Sequence, residues 1–411
     1  MTFNVSIAQQ KFTKTTPEWA KNANIYEVNI RQYTPEGTFN AFLPHLDRLK
    51  AQNTSIIWIM PIYPISQEGR KGSLGSYYAI KNYKEINPEF GSLDDFKALV
   101  TKAHSLGIKV IIDWVANHTG RDNVWTKSNP EWFNHDADGK ISIPKDTDWD
   151  DVADLNYNNS QMRLAMIDAM KYWIDVADID GFRCDVAGMV PTDFWVQARK
   201  ELEKKKTIFM LAEDENPKIH AAFDMTYGWQ LHHILNDVAQ SKKDCRDIIK
   251  FYKKDYKKFK PQDYRMNFTS NHDENTWSKS EYDRMGNAAV TMAALTYYLP
   301  GMPLVYSGQE AANKKALKFF DKDTIDFSNC CLQSFYTKLN QTKLNNQDLW
   351  NGQFGAKVIF EKHDNLNNVL VFTRGKTKCI FNLSSSQQIY HDTQKLTSKI
   401  LKPWEYLVIS E

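Results

Sequence analysis

No run of about 18 consecutive apolar residues occurs in the 411-residue chain, so no helix that crosses a bilayer is expected. The opening stretch MTFNVSIAQQKFTKTT also lacks the continuous apolar region of an export signal. As the chain stands this points to the cytoplasm, and to a secreted or periplasmic protein if a signal has been trimmed. Cysteine is scarce: Cys184, Cys245, Cys330, Cys331 and Cys379 are odd in number and form no CxxC pair. That indicates neither a zinc cage nor a disulfide framework, and suits a reducing compartment. An excess of one charge is missing too. With 52 basic against 50 acidic residues the net charge is +2, which argues against bulk capture of nucleic acid or an anionic membrane. The lysine clusters EKKK (203–206) and FYKKDYKKFK (251–260) read as solvated outer helix faces. No GxGxxG or Walker loop follows any apolar run, so a nucleotide fold is disfavoured.

What the chain does have is aromatic side chains, at 13% with 12 Trp and 19 Tyr, which suit stacking on flat sugar or base faces. It also has eight short β-branched runs: 24–30, 54–60, 109–115, 180–186, 207–213, 221–227, 265–271 and 302–308. Segments of helical period separate them, among them FNAFLPHLDRLKAQ (39–52) and SLDDFKALVTKAHSLG (92–107), the latter with Ser92 as N-cap. Eight such units predict an α/β fold, a closed (β/α)8 TIM barrel, over an open doubly wound sheet. A segment rich in Asp, Asn, Trp and Pro interrupts the pattern after the third run, and insertions of this length are usually functional. From Trp350 onward, KVIFEKH, NVLVFTRG, KCIFNLS and WEYLVIS read as antiparallel strands. The expected organisation is a barrel over 1–118 and 161–348, a short insertion over 119–160 and a C-terminal β-sandwich over 349–411.

In such a barrel the reactive side chains stand where strands end at the C-terminal face. Asp113 ends the third run, with Asn117 and His118 just beyond it. Asp185 ends the fourth beside Arg183, Glu213 ends the fifth, and His272 and Asp273 end the seventh. Singly, each reads as ordinary loop-end polarity. Together they crowd acids, imidazoles and an arginine around one mouth, at a cost in repulsion that a bland surface has no reason to bear. In DGFRCDVAG (180–188), Arg183 and Asp185 are two apart on an extended chain and share a face. A buried ion pair gains little net stability, whereas a carboxylate held ionised by a guanidinium is a usable nucleophile.

Metal hydrolysis through His118, His272, Asp113 and Asp273 is disfavoured, because no HxH or HExxH spacing occurs and Arg183 would oppose a cation. Glycoside hydrolysis with retention needs one ionised carboxylate and one protonated carboxyl about 5–5.5 Å apart. Asp185 suits the first role. Glu213, following apolar IFML and close to other carboxylates, suits the second. Asp273 would support positive charge at the sugar carbon, and His118 and His272 would donate to ring hydroxyls.

DWVANH (113–118), GFRCDVA (181–187), Glu213 closing a strand and FTSNHD (268–273) resemble, in order and spacing, four signature regions of the α-amylase family, glycoside hydrolase family 13. The segments 75–100, VADLNY (152–157) and LVYSGQE (304–310) extend the likeness along the whole chain. The resemblance implies the same barrel, insertion and C-terminal β-sandwich. It implies Asp185 as nucleophile, Glu213 as general acid/base and Asp273 as transition-state stabiliser. It places Arg183, His118 and His272 against the sugar or the carboxylates, Asp113 in support, and Tyr78 stacked on the sugar at the cleaved bond. It also implies a structural calcium held through Asn117 and through Asp154 or Asn156, oxygen ligands that suit this ion. No cofactor is required for the chemistry.

The sequence departs from the family at Asn82, where Asp is usual four residues after the stacking Tyr. It departs again at VAGM after Asp185, where many α-amylases have Lys-His, and at VADLN, where starch-cutting members have LPDLD and α-1,6-glucosidases QPDLN. The activity expected is hydrolysis of α-1,4 bonds in starch, glycogen or maltooligosaccharides. Endo action is expected because a short insertion suggests an open cleft. The alternatives are a cyclomaltodextrinase, maltogenic amylase or transglycosylase of the same family, and a non-catalytic α-glucan binding or transport subunit. The expected partner is an α-glucan, with neither nucleic acid nor membrane insertion.

Overall fold

A computed structural model describes residues 12–392 and 397–410. The first eleven residues of the stretch read for an export signal lie outside the described residues. In chain order the strands are β1 (Ile25–Val28), β2 (Ile56–Ile59) and β3 (Lys109–Trp114), then β4 (His118–Gly120) and β5 (Val152–Asp154) in the insertion. They continue with β6 (Gly181–Cys184), β7 (Phe209–Ala212), β8 (Met225–Tyr227), β9 (Tyr264–Asn267) and β10 (Met302–Tyr306). All but β4 and β5 close into one parallel barrel, in the order β1–β2–β3–β6–β7–β8–β9–β10 and back to β1. Each of the eight predicted runs contributes one strand.

Side chains alternate across each strand and so divide between two cores. Ile25, Ile56, Trp58, Ile111, Leu211 and Met266 fill the barrel. Their neighbours Tyr26, Ile57, Val110, Ile112, Phe182 and Met210 meet the surrounding helices. Burial on both faces is why these strands read as unbroken apolar runs. Gly181 is required where β6 meets β7, because a Cβ there would run into the Phe209 carbonyl.

The helix Leu93–Ser105 starts at a capping box, Ser92 accepting from Asp95 N and Asp95 from Ser92 N. Two predicted elements differ. The 39–52 segment forms two short helices, Phe39–Phe42 and His45–Ala51, because Pro44 has no N–H to continue the first. Between β7 and β8 only a 3-10 turn, Pro217–Ala221, replaces a helix, since few residues separate the two strands. In the insertion β4 and β5 pair antiparallel, His118 opposite Asp154.

At the C-terminus β11 (Val358–Phe360), β12 (Val369–Arg374), β13 (Thr377–Asn382) and β16 (Tyr406–Ser410) form an antiparallel sheet, with β14 (Gln388–Asp392) and β15 (Thr397–Leu401) pairing as a separate hairpin. Leu370, Phe372 and Phe381 of the sheet join the core around the barrel. On its other face Val369, Val371 and Ile380 meet Tyr390 and Leu401 of the hairpin, making a small sandwich. Among the described residues no helix is long and apolar enough to cross a membrane.

Candidate active site

β3 and β6 pair with Asp113 opposite Arg183, both turned into the barrel mouth. The Arg183 guanidinium is fully buried. Its Nη1 donates to Asp113 Oδ1 at 2.8 Å and to Asp185 Oδ1 at 2.9 Å, and its Nε to the Tyr227 hydroxyl at 3.1 Å. Nη2 lies 2.9 Å from Glu213 Oε2. Asp113 Oδ2 accepts from Trp58 Nε1 and the Tyr78 hydroxyl, each at 3.2 Å. Just after Asp185 the chain turns through Val186 in the left-handed region, φ 34° and ψ 45°. A β-branched residue rarely sits there, and such strain persists only where the surroundings hold it. The turn points Val186 N–H at Glu213 Oε2, to which it donates at 2.8 Å. One oxygen of each acid is thus engaged. Asp185 and Glu213 both line the pocket.

His272 Nδ1 lies 2.6 Å from Glu27 Oε1, and its Nε2 is 2.7 Å from the Tyr78 hydroxyl and 3.3 Å from Asp273 Oδ2. Burial alone would lower the His272 pKa, but Asp273 and Glu27 outweigh it and raise it to about 9, so the ring is cationic at neutral pH. His118 has the opposite character. Burial lowers its pKa to about 3. Its Nδ1 is 3.2 Å from Asn117 Nδ2, which as donor leaves the proton on Nε2.

Asn117 therefore orients His118. Asp154 Oδ2 accepts from Asn134 Nδ2 at 2.7 Å, and Asn156 Oδ1 accepts from Asn158 N at 3.0 Å, inside its own turn. Asp154 Oδ2 and Asn156 Oδ1 are thus engaged within the protein, and no step below is routed through calcium.

Burial raises Glu213 to about 7, with Asp185 and Asp273 adding to the rise against Arg183. Burial likewise raises Asp185 to about 6, against the pull of Arg183 and with Asp113 and Asp273 in support. Asp113 moves the same way, to about 6, for the same first reason. Five acids, Glu27, Asp113, Asp185, Glu213 and Asp273, thus share two cations, Arg183 and His272. Burial thus raises all three carboxyls, so this cluster retains a proton more readily than exposed carboxylates would. An ionised carboxylate beside a protonated carboxyl is the pairing that glycoside hydrolysis with retention uses.

The pocket over these groups holds about 320 Å³ and is lined by Tyr78, His118, Trp149, Asp185, Glu213, Asp273 and Phe319, among others. Tyr78 and Phe319 lie nearly parallel, 10° apart with centroids at 6.2 Å, and Trp277 and Phe320 extend this aromatic wall. The wall is also tied to neighbouring segments. Residues 66–76, leaving β2, are tied to the segment after β10 by Leu74 N donating to Phe320 O at 2.9 Å and Ser73 Oγ to Asp321 at 2.6 Å. They are tied to the insertion by Lys71, 2.8 Å from Asp150. The 66–76 segment thus lies between the insertion and the segment after β10.

The structure therefore brings Tyr78, Asp113, His118, Arg183, Asp185, Glu213, His272 and Asp273 together. Glu27, Trp58, Tyr227 and, in the aromatic wall, Phe319, Phe320 and Trp277 are not among the residues the sequence points to. Glu27 carried one signal, as the lone acid in an apolar run, two residues from inward-facing Ile25.

The family model "Alpha amylase, catalytic domain" matches residues 7–150 and 145–348. A maltogenic α-amylase AmyB of Thermotoga neapolitana has a similar structure, with a TM-score of 0.82 and 30% identity, over 95% of this chain and 97% of that one. An α-amylase of Lactobacillus plantarum gives a TM-score of 0.81 at 30% identity with the same coverage. The α-amylase MalA of Haloarcula japonica is 28% identical over 337 residues, 79% of this chain and 49% of that protein, so this chain spans about half its length. A trehalose synthase of Pimelobacter is 30% identical over 217 residues, 44% of this chain and 37% of that protein. Barrel, carboxylate cluster and matched domain agree, and the chain belongs to the α-amylase family of glycosidases, glycoside hydrolase family 13.

Proposed function

We propose that this protein is a retaining hydrolase of α-1,4-linked glucans, with Asp185 as nucleophile, Glu213 as acid/base and Asp273 as stabiliser. One observation carries the roles: buried Arg183 bridges Asp185 Oδ1 and Glu213 Oε2, so the two carboxyls share one cation in one pocket. Glu213 Oε1–H protonates the glycosidic oxygen as Asp185 Oδ2 attacks the anomeric carbon. The glycosidic C–O bond breaks, and a glycosyl ester forms on Asp185. Ionised Glu213 then takes a proton from water, the resulting hydroxide attacks the same carbon, and the ester bond to Asp185 breaks. Two inversions leave the α-configuration unchanged. Asp273 and cationic His272 frame the donor sugar, Nε2–H of His118 donates to a hydroxyl, and Tyr78 lies against the ring.

The α-amylase names of the Lactobacillus and Haloarcula proteins support α-1,4-glucans as substrate. The Thermotoga name supports a maltogenic variant of the same chemistry. The test is reducing-sugar release from starch and maltoheptaose by wild type and Glu213→Gln. A loss of about 10²–10⁴-fold is expected for a general acid. Equal activity in the two would overturn the assignment.

A further inference from the structure

We infer that the protein attacks glucans from the non-reducing chain end, because residues 66–76 form a strap that closes the donor side of the pocket. This rests on the α-1,4-glucan reading above. The barrel order fixes the sides. Glu213, which protonates the leaving group, ends β7, and β7 stands four strands from β1, across the barrel. The strap leaves β2 and is bound to the segment after β10, the two strands that flank β1. A sugar chain with its leaving group at Glu213 and its reacting ring against Tyr78 therefore runs toward the strap at its other end.

The strap is fastened at many points. Buried Arg31, just past β1, donates to Gly75 O at 3.1 Å, Phe319 O at 3.3 Å and Leu74 O at 3.3 Å, joining both segments from below. Gln67 N donates to Asp122 at 3.2 Å, and Lys71 pairs with Asp150 and Asp151 of the insertion. Gly72 lies in the left-handed region at φ +62°, and any Cβ there would run into the Phe320 side chain, so the strap touches the aromatic wall directly. Exposed ion pairs such as Lys71–Asp150 contribute little alone, but backbone hydrogen bonds and a buried arginine hold the rest. A pocket of about 320 Å³ is at the low end of ligand sites and suits a short donor segment.

The experiment uses the wild-type protein and two maltoheptaosides carrying the same reducing-end chromophore, one with a free non-reducing end and one with that end capped as a 4,6-acetal. The expected result, read by chromatography of the chromophore-bearing products, is stepwise shortening of the free substrate by glucose or maltose, with the cap slowing cleavage by about tenfold or more through steric exclusion. Amylose digested in parallel should yield glucose or maltose early, while its viscosity falls slowly. Equal rates on the two substrates, or a rapid viscosity loss with long products, would overturn end attack while leaving α-1,4 hydrolysis intact. Cleavage of neither substrate would instead overturn the α-1,4 reading, and this inference with it.

Discussion

At the barrel mouth single contacts decide which carboxyl keeps its proton. In the proposed mechanism activity requires Asp185 ionised and Glu213 protonated. With Asp185 raised to about 6 and Glu213 to about 7, kcat/KM should rise as pH passes the first value and fall as it passes the second. A pH–rate profile of the free enzyme checks this, and a plateau extending far above the Glu213 value would contradict it. Glu27 acts on a different group. Its carboxylate 2.6 Å from His272 favours the imidazolium, so Glu27→Gln should move the His272 pKa down from about 9. Titration of the imidazole by NMR reads that shift directly. Arg183, Asp185, Glu213 and Asp273 were legible in the sequence because strand ends mark a barrel's reactive face. Glu27 was not, because its partner His272 lies 245 residues away and a lone acid in an apolar run names no partner.

At the scale of elements, strands and helices were legible wherever burial dictates pattern. β1, β2, β3, β7 and β10 carry apolar side chains into both cores, so their composition announces them. The hairpin of β14 and β15 was missed because QIYHD and TSKIL mix polar with apolar residues and bury one face against the terminal sheet. The split at Pro44 and the missing helix before β8 follow from a lost N–H and a short connection, which helical periodicity does not weigh. Capping was readable. Removing the Ser92 hydroxyl takes away the acceptor of Asp95 N in the first turn of the 93–105 helix, and Ser92→Ala should lower stability by about 0.5–2 kcal/mol. Urea unfolding at unchanged m-value measures it.

For the whole molecule, barrel and terminal sheet share one apolar core, and they also share buried Arg374. That side chain, on β12, donates to Trp350 O at 3.0 Å and to Leu299 O at 3.3 Å. A chain ended at Trp350 would expose the outer barrel core, so it should lose cooperative thermal unfolding as well as activity; a stable, fully active truncation would contradict this. In the proposed mechanism Arg183 holds Asp185 as the nucleophile while Glu213 supplies the proton. Incubation with a 5-fluoro-α-glucosyl fluoride, followed by peptide mass spectrometry, tests it most directly. The account predicts one covalent glycosyl label, on Asp185; a label on Asp113, Glu213 or Asp273 would contradict it.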